Sequence, residues 1–265
     1  MLRLNITFEC LTGFKKEAIM RRSKFSQSIL VSVTLIAFLG LLPFTFGDGA
    51  VEKPIDAPDN LKVVVKMIGP VTQTTDLQII CVLKHDPTGD KYIEAMKDFN
   101  DHLGGLFSSL RDRDEFIGDA GETLLFRPPV GSITPNRVLL IGVGVEAELS
   151  PDRLRLAGRI AARESARLGV THVSFAPTLR DQGSNRIDVG EGDAIVVHQF
   201  LLAMDTERRL QAQGLSAKDN VADLTIEAGQ KYFDGVVAKV TAAVGLAAKD
   251  ISDRTSKDYA TPSGK

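Results

Sequence analysis

The chain has 265 residues, 43% hydrophobic and 25% charged, an ordinary globular composition with room for one large or two small domains. Its formal net charge is −2; taking away the six basic and three acidic residues of 1–49 leaves 26 Lys and Arg against 31 Asp and Glu, a balance that disfavours non-specific nucleic-acid binding. Two cysteines far apart, Cys10 and Cys81, make neither a disulfide framework nor a zinc pattern.

Residues 1–19 do not read as domain sequence and are expected to be an upstream extension. Met20-Arg21-Arg22-Ser23-Lys24 starts afresh, with three basic residues ahead of an apolar run from 29 to 46 and the small residues Gly47-Asp48-Gly49 after it. That is the outline of a secretory signal peptide over 20–49, predicting a secreted or periplasmic protein. The apolar run is long for a signal, so an uncleaved membrane anchor is the alternative. Residues 50–60 (AVEKPIDAPDN) read as a proline-bearing linker.

The first strand is expected at 61–68 (LKVVVKMI), broken by Gly69-Pro70, and the second at 77–83, where Cys81 reads as a small buried hydrophobe. Asp86-Pro87-Thr88-Gly89 is a turn. Ile93, Met96 and Phe99 recur at helical spacing, so 91–103 reads as a helix ended by Gly104-Gly105. Residues 106–116 fit either a short helix or a loop, and 122–126 reads as a strand stopped by Pro128-Pro129.

The clearest pattern lies between 137 and 176. Val138-Leu139-Leu140-Ile141 is an apolar run closed by Gly142-Val143-Gly144, the signature of a strand buried on both faces. Ser150 suits an N-cap, Pro151 the first helical position and Asp152 the positive end of the helix dipole. Leu154, Ala157, Ile160, Ala161 and Leu168 then line one helical face up to Gly169. Residues 170–176 (VTHVSFA) form the next strand, completing a β-α-β unit whose two strands should be parallel. Beyond it, 178–188 is a polar loop, 191–213 a long helix with a charged second half, and 225–249 an amphipathic helix.

The order Gly118-Asp119-Ala120-Gly121-Glu122-Thr123-Leu124-Leu125, then Arg137-Val138-Leu139-Leu140-Ile141-Gly142-Val143-Gly144, then Leu149-Ser150-Pro151-Asp152-Arg153-Leu154-Arg155 resembles the N-terminal domain of the leucyl (M17) aminopeptidases. The resemblance covers roughly 62–213, with a fainter echo at Gly245-Leu246-Ala247-Ala248-Lys249-Asp250-Ile251 and Thr261-Pro262. It implies an α/β fold: a three-layer α/β/α mixed sheet, macro-domain-like, with an additional C-terminal helix. The domain is expected over 61–215, with the helix and tail over 216–265.

In that family the active site lies in a second domain, where a lysine and several carboxylates, including an Asn-Thr-Asp-Ala-Glu-Gly-Arg motif, hold two metal ions. No such motif occurs here. Two-metal hydrolysis needs ligands that set the ions roughly 3.5–4 Å apart, so the reading assigns no catalytic residue, no metal ligand and no cofactor. Gly142-Val143-Gly144 after a strand invites a dinucleotide reading, but the third glycine is missing and Glu146 and Glu148 stand where a phosphate would dock. Asp112, Asp114 and Glu115, interleaved with Arg111 and Arg113, read as a solvated charge run, and so does the arginine-rich face of 153–167. His85, His102, His172 and His198 show no ligand spacing and read as hydrogen-bonded core or boundary residues.

Three functions fit this pattern: a non-catalytic exported domain for binding, assembly or regulation; half of a split or truncated leucyl aminopeptidase; or a macro-type module for nucleotides such as ADP-ribose. For a ligand, the candidate binding residues are Gly142, Val143 and Gly144, with Val145 continuing that wall, facing the loop Gly183, Ser184 and Asn185. A protein partner or a second copy of the chain would dock through the C-terminal helix, and a membrane is involved only if the signal segment is retained.

Overall fold

The computed structural model describes residues 50–254 and Tyr259. The upstream extension, the signal segment, Cys10 and the Thr261-Pro262 echo lie outside the described residues. Among the described residues no helix is long and apolar enough to cross a membrane.

A seven-stranded sheet forms the centre. Its strands are β1 (Glu52–Asp56), β2 (Lys62–Lys66), β3 (Leu77–Leu83), β4 (Thr123–Phe126), β5 (Val138–Gly144), β6 (His172–Ala176) and β7 (Asp223–Glu227), in the order β1-β2-β7-β6-β3-β5-β4. The five inner strands are parallel; β1 and β4 close the two edges antiparallel. Every residue of β3 and β5 is buried, which is why both read as unbroken apolar runs.

Helices cover both faces, giving the three-layer, macro-domain-like α/β/α arrangement that the motif order implies. On one face lie α3 (Pro151–Leu168), α4 (Val189–Ala212) and α5 (Phe233–Ser252) over an aliphatic core from Val63 through Ile226. On the other, α1 (Glu94–His102) and α2 (Leu106–Asp112) pack Met96, Phe99, Leu103 and Phe107 against Ile80, Val82, Val138 and Leu140. The α3–α4 crossing is tight because Gly158 lets the carbonyl of Val196 approach; a Cβ there would sit 2.6 Å from that oxygen.

The structure departs from the sequence reading in several places. β5 and β6 are parallel, but β3 lies between them; the apolar run of β3 has hydrogen-bonding partners on both sides. Residues 52–56 are not linker but the edge strand β1, where Pro54 is tolerated because one side of the strand has no ladder to feed. The segment 225–249 is not one helix: 223–227 form β7, between β2 and β6, and the helix begins at Phe233. Sheet and core therefore run past residue 215, and α5 packs on α4 and β2 as part of the same body. Residues 106–112 are helical. Ser150 occupies the cap position of α3, but its side chain makes no capping bond; its carbonyl accepts from Arg153 and Leu154 instead. Asp188, read as loop, caps α4 by accepting from the Glu191 amide at 3.1 Å.

Candidate ligand cavity at the carboxyl ends of the strands

In a parallel sheet the strand carboxyl ends and the amino ends of the following helices meet on one edge, where ligands of open α/β sheets sit. A cavity of about 300 Å³ opens there. Its floor is Ala176 and Pro177 at the end of β6 and Glu227 and Gly229 around the end of β7. Leu149, Leu154, Ile187, Val189 and Val196 supply apolar walls from the amino ends of α3 and α4. Ile68, Gly69 and Pro70, at the start of the connection from β2 to β3, close a third side, with Glu94 and Ala95 of α1 nearby.

Into this apolar surround the chain sets few polar groups. Glu227 is 7% exposed. Its Oε1 accepts from the Ser174 hydroxyl at 2.6 Å, and its Oε2 makes no hydrogen bond among the described residues. Burial pushes its carboxyl up to about 7, against the opposing pull of Ser174 and Gln78. Asp181 is pushed up to about 6 by burial and by the charge of Glu94, against the Met96 amide and Arg180, which favour its ionised form. Arg180 lies over the Tyr232 ring, its guanidinium carbon 5.3 Å from the centroid. Asp188 is already engaged as the α4 cap.

The predicted binding residues are divided between this cavity and other places. Gly142, Val143 and Gly144 do not line this cavity. Val143 is core, and Gly142 is jammed against the 118–122 turn: a Cβ on it would lie 2.1 Å from the Asp119 carbonyl oxygen. Gly144 has φ 82°, which its lack of a side chain permits, and its amide donates to the Gly118 carbonyl at 3.0 Å. These glycines serve close backbone packing rather than phosphate approach. Ser184 does line the cavity, but its hydroxyl donates to Glu146 at 3.0 Å, the residue that follows the Gly142–Val145 wall. Gly183 and Asn185 line a smaller hollow of about 140 Å³ beside it, shared with Lys91, Glu94, Arg180 and Asp181. Sequence reasoning missed Glu227, Asp181, Arg180 and Tyr232. Only the position of the 178–188 loop after a parallel strand pointed toward two of them.

The histidines have structural partners. His85 contacts Asp90 at 2.9 Å, His172 contacts Asp223 at 2.6 Å, and His198 contacts Asp250 at 2.8 Å across the α4–α5 seam. His172 is a surface residue rather than a core one, its side chain 58% exposed. Arg111 is not part of a solvated charge run. Its side chain is 1% exposed, and its guanidinium donates to Asp90 at 2.5 and 3.1 Å and to the Leu83 carbonyl at 3.0 Å. Burial raises the Asp90 carboxyl, but Arg111 and the other donors around it hold it well below the usual range. On α3 the arginines find surface partners, Arg153 with Glu148 and Arg155 with Asp152, as a solvated face should. Among the described residues, no three His, Cys, Asp or Glu side chains group so as to hold a metal ion.

A profile of the cytosol aminopeptidase family, N-terminal domain, matches residues 81–198, from the middle of β3 to the middle of α4. Over those residues the chain is similar to the N-terminal domain of the cytosol aminopeptidase family. A probable cytosol aminopeptidase of Geotalea uraniireducens is 34% identical over 105 residues, 39% of this chain and 21% of that protein. The chain thus spans about a fifth of the length of that curated relative. Among solved structures, a tomato leucine aminopeptidase variant aligns over 75% of this chain and 38% of its own, with TM-score 0.53 and 18% identity. A macrodomain variant from Oceanobacillus iheyensis aligns over 76% of this chain and 98% of its own, with TM-score 0.53 and 11% identity. At those identities the likeness is one of fold. β1, β2, β7 and α5 lie outside the matched stretch, and β7 brings Glu227 to the cavity from there.

Proposed function

We propose that this chain is an exported, non-catalytic binding domain of the aminopeptidase N-terminal type, which takes a small ligand at the carboxyl ends of its central strands. The observation that carries the reading is the cavity of about 300 Å³ between α1, α3 and α4, apolar for most of its lining, with a few polar side chains converging on it. Export rests on the basic residues Arg21, Arg22 and Lys24 ahead of the apolar run at 29–46. Regulation or assembly would follow if ligand binding were coupled to a partner docked on α5, whose outer face carries Ala238, Ala242 and the 53%-exposed Leu246.

Two measurements test the proposal. Turnover of a leucyl anilide by the purified protein with added Mn²⁺ or Zn²⁺ would contradict its non-catalytic half. A fragment screen by saturation-transfer NMR should find ligands; a screen in which nothing binds would contradict its binding half.

A second reading, a macro-type nucleotide module, has the fold likeness and the position of the cavity in its favour. A third, one half of a split aminopeptidase, has in its favour the small share of the relative that this chain spans. It predicts a second chain that co-purifies and brings activity.

A further inference from the structure

The polar side chains that line the cavity are engaged mostly with the protein itself. Ser184 donates to Glu146, and the Thr178 hydroxyl donates to the Cys81 carbonyl at 3.0 Å. Glu227 turns its carboxyl to Ser174 and Gln78, with its second oxygen closed to solvent. Arg180 lies over the Tyr232 ring. The amino ends of helices would ordinarily make this edge attractive to a phosphate. Here Asp188 accepts from the Glu191 amide at the start of α4, and Asp181 is held by the Met96 amide at the start of α1. An arriving anion would meet occupied donors and like charge. A cation would find exposed carboxylates in Glu94 and Asp188, where water screens the attraction. A charge of either sign carried in among the aliphatic walls would lose its water without gaining a partner.

One of those walls is kept open. Gly192, the fourth residue of α4, lines the cavity. Its amide donates to the Asp188 carbonyl at 2.9 Å, so it lies within the hydrogen-bonded helix. Glycine there costs helix stability relative to alanine. Packing explains the other two buried glycines of α3 and α4. A Cβ on Gly158 would sit 2.6 Å from the Val196 carbonyl oxygen, and one on Gly190 would sit 3.1 Å from that of Gly235. Packing does not explain Gly192. Beyond its own helix, a Cβ there would meet the side chains of Leu154 at 3.4 Å and Ile187 at 3.8 Å, ordinary contacts with two residues of the cavity wall. What the missing side chain provides is room in the cavity.

We infer that the cavity takes a compact, uncharged, apolar molecule, and that Gly192 holds open the wall against which its body packs. This rests on the cavity being the binding site; it names the ligand class that site selects and the residue that sets its size. It also sets the domain apart from a nucleotide-binding module, because a diphosphate would have to displace Asp188 and Asp181 from the helix ends.

The test is an NMR titration of the labelled full chain with three probes that share one body and differ in head group: cyclohexylmethanol, cyclohexylmethylamine and cyclohexanecarboxylate. The alcohol should bind at least about tenfold more tightly than either charged analogue, because neither charge finds a partner inside. Gly192→Leu fills the open wall and should weaken the alcohol by at least about tenfold, with the spectrum of a folded protein retained. Gly192→Ala should raise the thermal midpoint and weaken the alcohol by less than Gly192→Leu does; a glycine kept for packing would instead give a lower midpoint. Tighter binding of the amine or the carboxylate than of the alcohol, an unchanged alcohol affinity in Gly192→Leu, or a lower midpoint in Gly192→Ala would overturn the inference while leaving a binding domain in place. If no probe bound but the fragment screen found ligands, the inference alone would fall; if both came up empty, the reading it rests on would fall with it. Should Gly192→Leu fail to fold, Gly192→Ala and the ranking of the three probes on the unaltered protein decide the matter.

Discussion

Along β6 and β7, neighbouring residues point to opposite faces of the sheet and into different chemistry. Val173, Phe175, Leu224 and Ile226 face α3, α4 and α5 and join a continuous aliphatic core. Ser174, Thr225 and Glu227, the residues between and beyond them, are equally buried and polar. Under α1 and α2 that second face is apolar again, where Ile80, Val82 and Leu140 take over. The polar stretch runs along β6 and β7 and reaches Gln78 on β3. Cores dispose of polar atoms unless they are paired or used, and the unpartnered oxygen of Glu227 lies on this face. The aliphatic face carries the stability of the fold, and the polar face ends beside the cavity.

Four substitutions can break or sharpen this contrast. Phe200→Ala, at a fully buried α4 position on the aliphatic face, should cost about 4 kcal/mol in denaturant unfolding. Gly142→Ala should cost about 3 kcal/mol, because its methyl would have to push back the Asp119 carbonyl; a cost below about 1 kcal/mol would mean that the 118–122 turn yields freely. On the polar face the effect should depend on pH. Unfolded, Glu227 releases its proton near the ordinary 4.5; folded, it holds it up to about 7. Between those values the folded chain binds more protons than the unfolded one, so stability falls as pH rises through that window and levels off above it. Glu227→Gln should remove about 3 kcal/mol of that fall, measured as denaturation midpoints at pH 4.5 and 8. Some slope will remain, because burial raises Asp193 and Asp181 in the same direction. The smallest effect is expected at Gly245→Ala on the exposed side of α5, where nothing lies within 4 Å of the added methyl. That change should stabilise by about 0.5–1 kcal/mol through helix propensity alone.

The strands and helices whose patterns answer to one cause could be read from the sequence. β3 and β5 are apolar throughout because both their faces are covered, and α3 shows its face, its Pro151 start and its Gly169 stop. β7 was misread because its five residues run on toward a helical pattern, although Leu224 and Ile226 alternate with Thr225 and Glu227 as a strand should. Pro54 disguised β1, since a proline in a strand signals an edge only when the sheet is known. Arg111 looked like surface because its partner Asp90 lies 21 residues away, and no local pattern announces a buried pair of that separation. The site was harder still. Gly142 and Gly144 suggested a ligand, but the same residue type serves when two backbones must touch. The polar groups of the cavity come from α1, the loop after β6, the start of α4 and the end of β7, which meet only when the sheet order is known.

The cavity at the ends of β6 and β7 is the proposed ligand site. The most direct test is to map amide chemical-shift changes in the labelled protein as ligands found by the fragment screen are added. Changes should centre on residues 177–184, 188–192 and 227–232. Changes centred instead on the Gly142–Val145 turn, or on the outer face of α5, would contradict it.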